Sequence, residues 1–324
     1  MIKSFYKRLA VLFFAIALSF LTIACVPQTE LTYNNPVRVT EKGLYVHYLD
    51  VGQGDAILIN LPDGKVMMID TGDRDEKVTG STIDFMKINN VKNIDYLVLT
   101  HPDSDHAGGA KAIIENFTVH KAYLPSHYFE ASLFPYYEQA INLIDEKKIE
   151  KQTFKSYMLI KGEEYFIGFL SPLGFGINTS GGVCTDAETN NLSPIMYLEY
   201  NGVRFLFTGD AGKDQEKEVL NDYVVGIYKK AFGYYGFNVN LDGINFLKVS
   251  HHGANDATSE EFLSVIKPEN AMISVSGNNS YGHPNTAVLN RILESNQDCK
   301  IYRTDVSGTI TVHVDLNGKS KVIT

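Results

Sequence analysis

The sequence predicts a layered α/β or α+β domain, and three observations carry that expectation. Short runs rich in β-branched and aromatic residues alternate with amphipathic stretches of helical period. Some of the apolar runs, such as "IDYLVLT" and "INFLKVS", do not alternate with polar residues, as expected of strands covered on both faces. Glycine and aspartate fill the junctions, where turns need them. Strands mixed with helices bury their apolar faces by stacking in layers around a shared core.

In chain order, the first strands are "LYVHYLDV", "AILINL" and "KVMMID", followed by a helix near Ser81–Asn90 and the strand "IDYLVLT". Helical period then marks "AGGAKAIIENF", "FPYYEQAINLIDEKK", "KDQEKEVLND", "SEEFLSVI" and "NTAVLNRILESN". Between and after them lie the strands "KAYLP", "YFIGFL", "SPIMYLEY", "VRFLFTGD", "INFLKVS", "NAMISVS", "KIYRT" and "GTITVHV". Two segments read as insertions, Ser126–Tyr137 and Asp222–Asp242. The second is rich in aromatics and glycine, and reads either as a packed surface loop or as a rim over a site.

The first 24 residues stand apart. Lys3, Lys7 and Arg8 precede the uncharged run "LAVLFFAIALSFLTIA", which ends at Cys25. A basic start, an apolar middle and small residues before a cut are the layout of a secretion signal. The cysteine directly after "LTIA" resembles a bacterial lipoprotein box, with Cys25 acylated as the new N-terminus. The competing reading is an uncleaved anchor, since about 16–18 apolar residues approach the lower limit of a span. On either reading the remainder is extracytoplasmic, membrane-anchored or, failing an anchor, secreted. Residues 26–43 read as a polar tether and 44–324 as the folded domain.

Cleavage leaves 26 basic against 38 acidic side chains, a formal −12 in place of −9 for the whole chain. An acidic domain lacks the basic footprint of an extended nucleic-acid binder. Besides Cys25 there are only Cys184 and Cys299, too few for a disulfide framework, and both are expected as free thiols. The sequence identifies no protein partner.

The chemistry concentrates in "THPDSDHAGG", where His101, Asp103, Asp105 and His106 fall within six residues. His101 follows a buried strand, and alternate residues of extended backbone share a face, so His101 and Asp103 point to one place. Asp105 and His106 begin a helical stretch and point to a neighbouring place. Gly108 and Gly109 permit close backbone approach, with helix-start amides available to an anion. This pattern suits two adjacent cations. "FLFTGD" ends at Asp210, a position for a carboxylate shared by two metals. "INFLKVSHHGA" ends at His251 and His252, which face opposite ways if the strand continues; His251 is then the expected ligand and His252 a donor to substrate.

These segments occur in order with others: "LDVGQGDAILI", "MIDTG", "THPDSDHAGG", "NNLS", "FLFTGD", "LKVSHHGA", "NSYGHP" and "YRTDVSGTI". Together they resemble the metallo-β-lactamase-fold domain of the ComEC type, named for the DNA-uptake channel protein that carries it. The resemblance implies an αββα sandwich with metals at one edge of two packed mixed sheets, in an exported form without the channel portion. It implies that His101 and Asp103 hold a first metal, Asp105 and His106 a second, that Asp210 bridges, and that His251 supplies the final histidine. The wider superfamily takes another histidine before the "TGD" strand; here "ETNNLSP" offers only Asn190 or Asn191. Asp70 is expected to orient a ligand from behind, and Asp55, beside Gln53 in a glycine turn, to lie near the site. His283 in "YGHP" is a general acid, a phosphate contact or a loop-locking residue. His47, His120, His127 and His313 read as structural.

Replacing histidine with Asp103 and an asparagine makes the first site richer in oxygen, which favours manganese or magnesium while zinc remains compatible. Two such cations share and acidify a water, giving a hydroxide for attack at phosphorus or carbonyl carbon. The expected activity is that of a phosphodiesterase or nuclease, with DNA a candidate substrate and Asp105, His252 and His283 the candidate catalytic side chains. Hydrolysis of a lactone or β-lactam, or a non-catalytic surface lipoprotein stabilised by metal, are the alternatives.

Overall fold

The structure, a computed structural model, describes residues 37–126, 132–172 and 189–324. The N-terminal segment with Cys25, together with His127 and Cys184, lies outside the described residues. Two sheets account for the strands. The first contains β1 (Leu44–Tyr48), β2 (Ile57–Asn60), β3 (Val66–Ile69), β4 (Asn93–Val98), β5 (Thr118–Leu124) and β6 (Glu150–Thr153), closed by β14 (Ile310–Val314) and β15 (Ser320–Ile323), in the order β15-β14-β1-β2-β3-β4-β5-β6. The second contains β7 (Leu159–Lys161), β8 (Tyr165–Phe169), β9 (Met196–Tyr200), β10 (Val203–Phe207), β11 (Phe246–Lys248), β12 (Asn270–Ile273) and β13 (Lys300–Arg303), in the order β13-β12-β11-β10-β9-β8-β7.

Each sheet is antiparallel in one half and parallel in the other. Pairing is parallel from β3 to β6 and again from β10 to β13. A parallel pair needs a crossover, and helices supply it. In the first sheet these are α1 (Glu76–Ile88), α2 (Ser104–Ala107), α3 (Ala110–Asn116) and α4 (Pro135–Glu146). In the second they are α5 (Lys213–Val224), α6 (Ile227–Gly233), α7 (Glu260–Ile266) and α8 (Thr286–Ser295), with the short α9 (Thr304–Ser307) after β13. Local chemistry sets the helix ends: Asp75 accepts from the amides of Lys77 and Val78, and Ser259 and Asn285 cap α7 and α8 in the same way.

The sheets pack face to face. Val46, Ile59, Met67 and Val98 from the first meet Ile167, Leu198, Phe205, Phe207 and Phe246 from the second in one buried cluster. Period-two alternation sends Leu206, Leu247 and Ile273 to the opposite face of the second sheet, where Val219, Phe232, Phe262 and Ile292 of the helices cover them. Leu58, Met68 and Leu97 are equally buried on the outer face of the first sheet. The result is the four-layer αββα sandwich expected from the resemblance.

The insertion at Asp222–Asp242 follows the packed-loop reading and not the rim. It contains α6, whose Tyr228 and Phe232 are buried, and Phe166 stacks on Phe237 with centroids 4.6 Å apart. Its end lies with Glu199 near the end of β9 and Arg204 at the start of β10, the far end of β10 from Asp210. Cys299 is a buried free thiol. No helix among the described residues is long and apolar enough to cross a membrane.

Phe205 is fully buried between Phe207 and Phe246, at ring-centroid distances of 6.2 and 4.8 Å. Phe205→Ala is expected to cost about 3–5 kcal/mol through lost burial and a residual cavity, read as a lowered midpoint in urea unfolding.

Candidate metal centre

Most chemistry-bearing segments leave the carboxyl ends of parallel strands: Asp70 after β3, His101 to His106 after β4, Asp210 after β10 and His252 after β11. Strand ends of an open α/β sheet gather side chains at a common edge, and here the edges of two packed sheets face each other. His101, His106 and Asp210 present ligand atoms within 4.8 Å of one another, as do Asp105, His106 and His252.

Each central histidine is held by its Nδ1 and turns its Nε2 inward. His106 Nδ1 lies 2.8 Å from Asp70 Oδ2, and Asp70 also accepts from the Thr100 amide (2.8 Å) and hydroxyl (2.6 Å). His101 Nδ1 meets the hydroxyls of Thr100 and Ser193 at 3.0 and 3.1 Å. His252 Nδ1 donates to Ser274 O at 2.9 Å, which leaves Nε2 as the acceptor nitrogen. Asp70 stands where the sequence expected it, behind His106. Such outer partners fix the tautomer and aim of a metal-binding imidazole.

The inward atoms lack partners. His101 Nε2, Asp103 Oδ1, Asp210 Oδ1 and Asn190 Oδ1 are buried without a hydrogen bond, and His106 Nε2 confronts His252 Nε2 at 3.3 Å. Unpaired buried polar atoms cost about 1–3 kcal/mol each, so this many at one place fits a cation-binding site. The donors, imidazole nitrogens with carboxylate and amide oxygens, fit divalent metal ions.

The histidine pair is placed differently from the strand-based expectation. The strand stops at Lys248, and Ser250–Gly253 forms a 3₁₀ turn with His251 and His252 in left-handed backbone (φ 48 and 53°). The alternation that favoured His251 therefore does not apply. His252 is the buried member, with Nε2 at 3.4 Å from Asp105 Oδ2 and 3.6 Å from Asp210 Oδ2. His251 stands at the mouth, where Asp256 Oδ1 holds its Nδ1 at 3.1 Å and its Nε2 is 3.8 Å from Asp210 Oδ2. The two asparagines also separate. Asn191 Oδ1 accepts from Gly212 N at the start of α5, whereas the side chain of Asn190 faces His251 with its oxygen unpartnered.

The glycines serve the backbone. A Cβ on Gly54, at φ +133°, would lie 2.2 Å from Asp105 O, so only glycine lets the "GQGD" turn close on the ligand loop. The Gly109 amide donates to Gly72 O instead of standing free for an anion. His283 rings the mouth at 5.5 Å from His251, and Asn279 accepts from its amide. His47 bonds Thr311 and Asn60, and His313 contacts Lys42 O, away from the cluster.

Two features escaped the sequence reading. Lys248 is fully buried, 2.5 Å from Asp55 Oδ2; its one signal was a lone charge in an apolar strand. A cleft of about 410 Å³ opens beside Asp103 and Asp105, walled by Arg74, Phe134, Tyr136 and Tyr281, and Arg74 lies over the Tyr136 ring at 5.2 Å.

Electrostatics without metal follow from crowding. Burial, with the negative charges of Asp105 and Asp210, pushes the Asp103 carboxyl up to about 7. Burial opposes charge on His106, yet Asp210, Asp105 and Asp70 outweigh it and hold its pKa well above the ordinary value. Burial likewise opposes charge on Asp210, and His106 and His252 overcome it, holding that carboxyl well below its ordinary range.

An αββα sandwich with histidines and aspartates converging between the two sheet edges defines a class of metal-binding hydrolase folds. Residues 49–277 match the metallo-beta-lactamase superfamily, and the chain belongs to that superfamily. It is 29% identical over 284 residues to ComE operon protein 3 of Bacillus subtilis, covering 82% of this chain and 32% of that protein. It is 26% identical over 276 residues to competence protein ComA of Neisseria gonorrhoeae, covering 85% and 33%. The chain thus spans about a third of the length of these relatives. Among solved structures it is similar to Igni18, a metallo hydrolase from the archaeon Ignicoccus hospitalis, with 14% identity, a TM-score of 0.47, and 86% and 99% of the two chains covered.

Asp70→Ala is expected to weaken divalent-metal binding by about 10–100-fold, because His106 loses the carboxylate that aims it; calorimetric titration of metal-free protein checks this. Metal affinity is also expected to fall as pH drops below about 7, where Asp103 takes up a proton that the cation must displace. The sign for metal-free stability is opposite. A carboxyl raised from 3.8 stabilises the fold at low pH, and that contribution is lost as pH rises through about 7. Titrations and thermal melts across this window read both trends.

Proposed function

We propose that this chain is a metal-dependent hydrolase of phosphodiester bonds, working with two divalent cations, zinc or manganese, with magnesium also compatible. The observation that carries the reading is the set of unpartnered inward donors, one of which, Asp103, also lines the Arg74 cleft. The competence proteins to which the chain is similar support a nucleic-acid phosphodiester, DNA above all, as substrate.

In this reading Asp105, His106, His252 and Asp210 would hold one ion, and His101, Asp103, Asp210 and the amide oxygen of Asn190 would hold the other. Bound there, the cations would lower the pKa of a water to about 7 and supply hydroxide for attack at phosphorus. The protein's own groups do the rest. Asp70, Ser193 and Ser274 hold the imidazoles so that no reorganisation is needed when charge develops. Arg74 offers the cleft a fixed cation for a non-bridging phosphate oxygen. The rings of Tyr136 and Tyr281 offer flat faces to bases, whose stacking tolerates any sequence. His251, oriented by Asp256, and His283 stand together at the mouth and are the candidates to protonate a leaving oxygen.

Charge favours phosphorus over a carbonyl substrate. A phosphodiester is anionic and meets Arg74 and two cations, whereas a neutral lactone gains nothing from the arginine. Asp210→Ala is expected to lower hydrolysis of both plasmid DNA and a small phosphodiester by roughly 10²–10³-fold with manganese or zinc. Arg74→Ala is expected to raise KM about tenfold with kcat little changed. A wild-type protein inert towards every phosphodiester, and no better than Asp210→Ala, would refute the assignment.

We also propose that the domain works outside the cytoplasmic membrane, anchored by lipid on Cys25. The basis is the basic–apolar–cysteine order of the N-terminus. Cys25→Ser is expected to move the protein from the membrane fraction to the soluble fraction after export; unchanged partitioning would exclude acylation as the anchor.

A further inference from the structure

We propose that the buried ion pair between Lys248 and Asp55 is a positioning device that sets the spacing between the two halves of the metal centre; the proposal rests on the metal-binding reading above. The two halves come from different sheets. The first sheet supplies His101, Asp103, Asp105 and His106, and the second supplies Asp210 and His252. Apolar contact between the sheets has no preferred direction, so polar links must fix their spacing. Ser193, which meets His101 Nδ1 and accepts from the Asp210 amide, is one such link, and the ion pair is the charged one. Ligands for shared cations tolerate little sliding.

Lys248 ties the halves together. It sits at the end of β11 with its ammonium wholly buried, 2.5 Å from Asp55 Oδ2, and it donates to Gly209 O at 3.2 Å. Gly209 immediately precedes Asp210. Asp55 belongs to the opposite sheet's turn, where its amide donates to Asp105 O at 3.1 Å and its carbonyl accepts from Gly72 N at 2.7 Å. One ammonium is therefore bonded to the backbone neighbour of a ligand on one sheet and, through Asp55, to the backbone of a ligand on the other.

The position of Asp55 argues that it serves from behind. Its oxygens meet the Nδ1 sides of the rings, 4.0 Å from His106 and 3.8 Å from His252, while the two Nε2 atoms face each other at 3.3 Å. Asp55 Oδ1 is unpartnered, and Asp55 also has an oxygen within 4.8 Å of ligand atoms of Asp210 and His252, so the test below separates clamp from ligand. Stability alone would not select such a pair. Replacing a buried ion pair with apolar residues of similar size is often neutral or stabilising, and the strand residues beside Lys248 are apolar already. The charge is explained by what it holds in place.

The test compares wild type, Asp55→Asn, Lys248→Met and the double variant, which removes both charges and leaves neither stranded. Metal-free proteins are titrated with manganese and with zinc in a calorimeter, and thermal midpoints are taken without metal. Wild type is expected to bind two ions. The double variant and Asp55→Asn are expected to bind about 10–100-fold more weakly, with the double variant's metal-free midpoint close to that of wild type. Lys248→Met is expected to bind more weakly as well. Wild-type affinity in the double variant or in Asp55→Asn, whatever their midpoints, would overturn the proposal. So would tighter binding in Lys248→Met, which would mean that Asp55 is a ligand held back by the lysine. A wild type that binds no divalent ion defeats the metal-binding reading itself, an outcome separate from failure of the clamp alone.

Discussion

Charge crowding at the seam between the two sheets governs this molecule. Asp55, Asp70 and Asp210 are buried, and Asp103 and Asp105 are mostly so. Five carboxylates this close repel one another, and burial removes the water that would screen them. Lys248 answers one of them, and a proton or positive charge on His106 answers others in part. The opposed displacements of His106 upward and Asp210 downward express that partial remedy. The remaining deficit is why the same cluster carries unpartnered oxygens and nitrogens.

That concentration is a consequence of topology. Parallel strands need crossovers, and crossovers leave every loop of a kind at one edge. Each sheet supplies the site's histidines and most of its aspartates from its parallel half, after β3 and β4 in the first and after β10 and β11 in the second, while Asp55 before β2 and Asn190 and Ser193 before β9 come from the antiparallel halves. The antiparallel halves, with β1, β2, β8 and β9, supply the apolar wall between the sheets. Division of labour within each sheet lets the core be packed with Phe205, Phe207 and Phe246 while the edge tolerates buried charge a few residues away.

What was legible in the sequence followed from local rules. His101, Asp103, Asp105 and His106 fall in one loop, so their proximity needed no knowledge of tertiary structure. Asp210 and the histidine pair were visible as polar residues closing apolar strands. The choice between His251 and His252 was not legible, because it depends on where β11 ends. A strand continued through both residues would send them to opposite faces, but left-handed backbone at each redirects them. Nothing in "VSHHGA" announces that turn except Gly253, which follows it. Asn190 and Asn191 were indistinguishable for a similar reason, since only the packing of α5 assigns Asn191 to the Gly212 amide. The Arg74 cleft brings together residues far apart in the chain, Arg74, Tyr136 and Tyr281, and no local pattern records such a meeting.

The overall negative charge of the chain, −9, is compatible with an anionic substrate when distance is considered. At physiological ionic strength, exposed charges are screened beyond about 8 Å, so the acidic surface acts weakly on a phosphate already in the cleft. Buried charges are screened far less, and the charge that such a phosphate meets is set by the seam: five carboxylates, Lys248 and whatever cations the donors hold. With two divalent ions the local balance approaches neutrality, and Arg74 tips it positive on the cleft side. Long duplexes, by contrast, extend well past the cleft and meet the acidic surface along their length. The charge distribution that would suit the proposed phosphodiester at the seam therefore disfavours extended contact, and on that proposal affinity is confined to the short reach between the candidate metal ligands and the rings of Tyr136 and Tyr281.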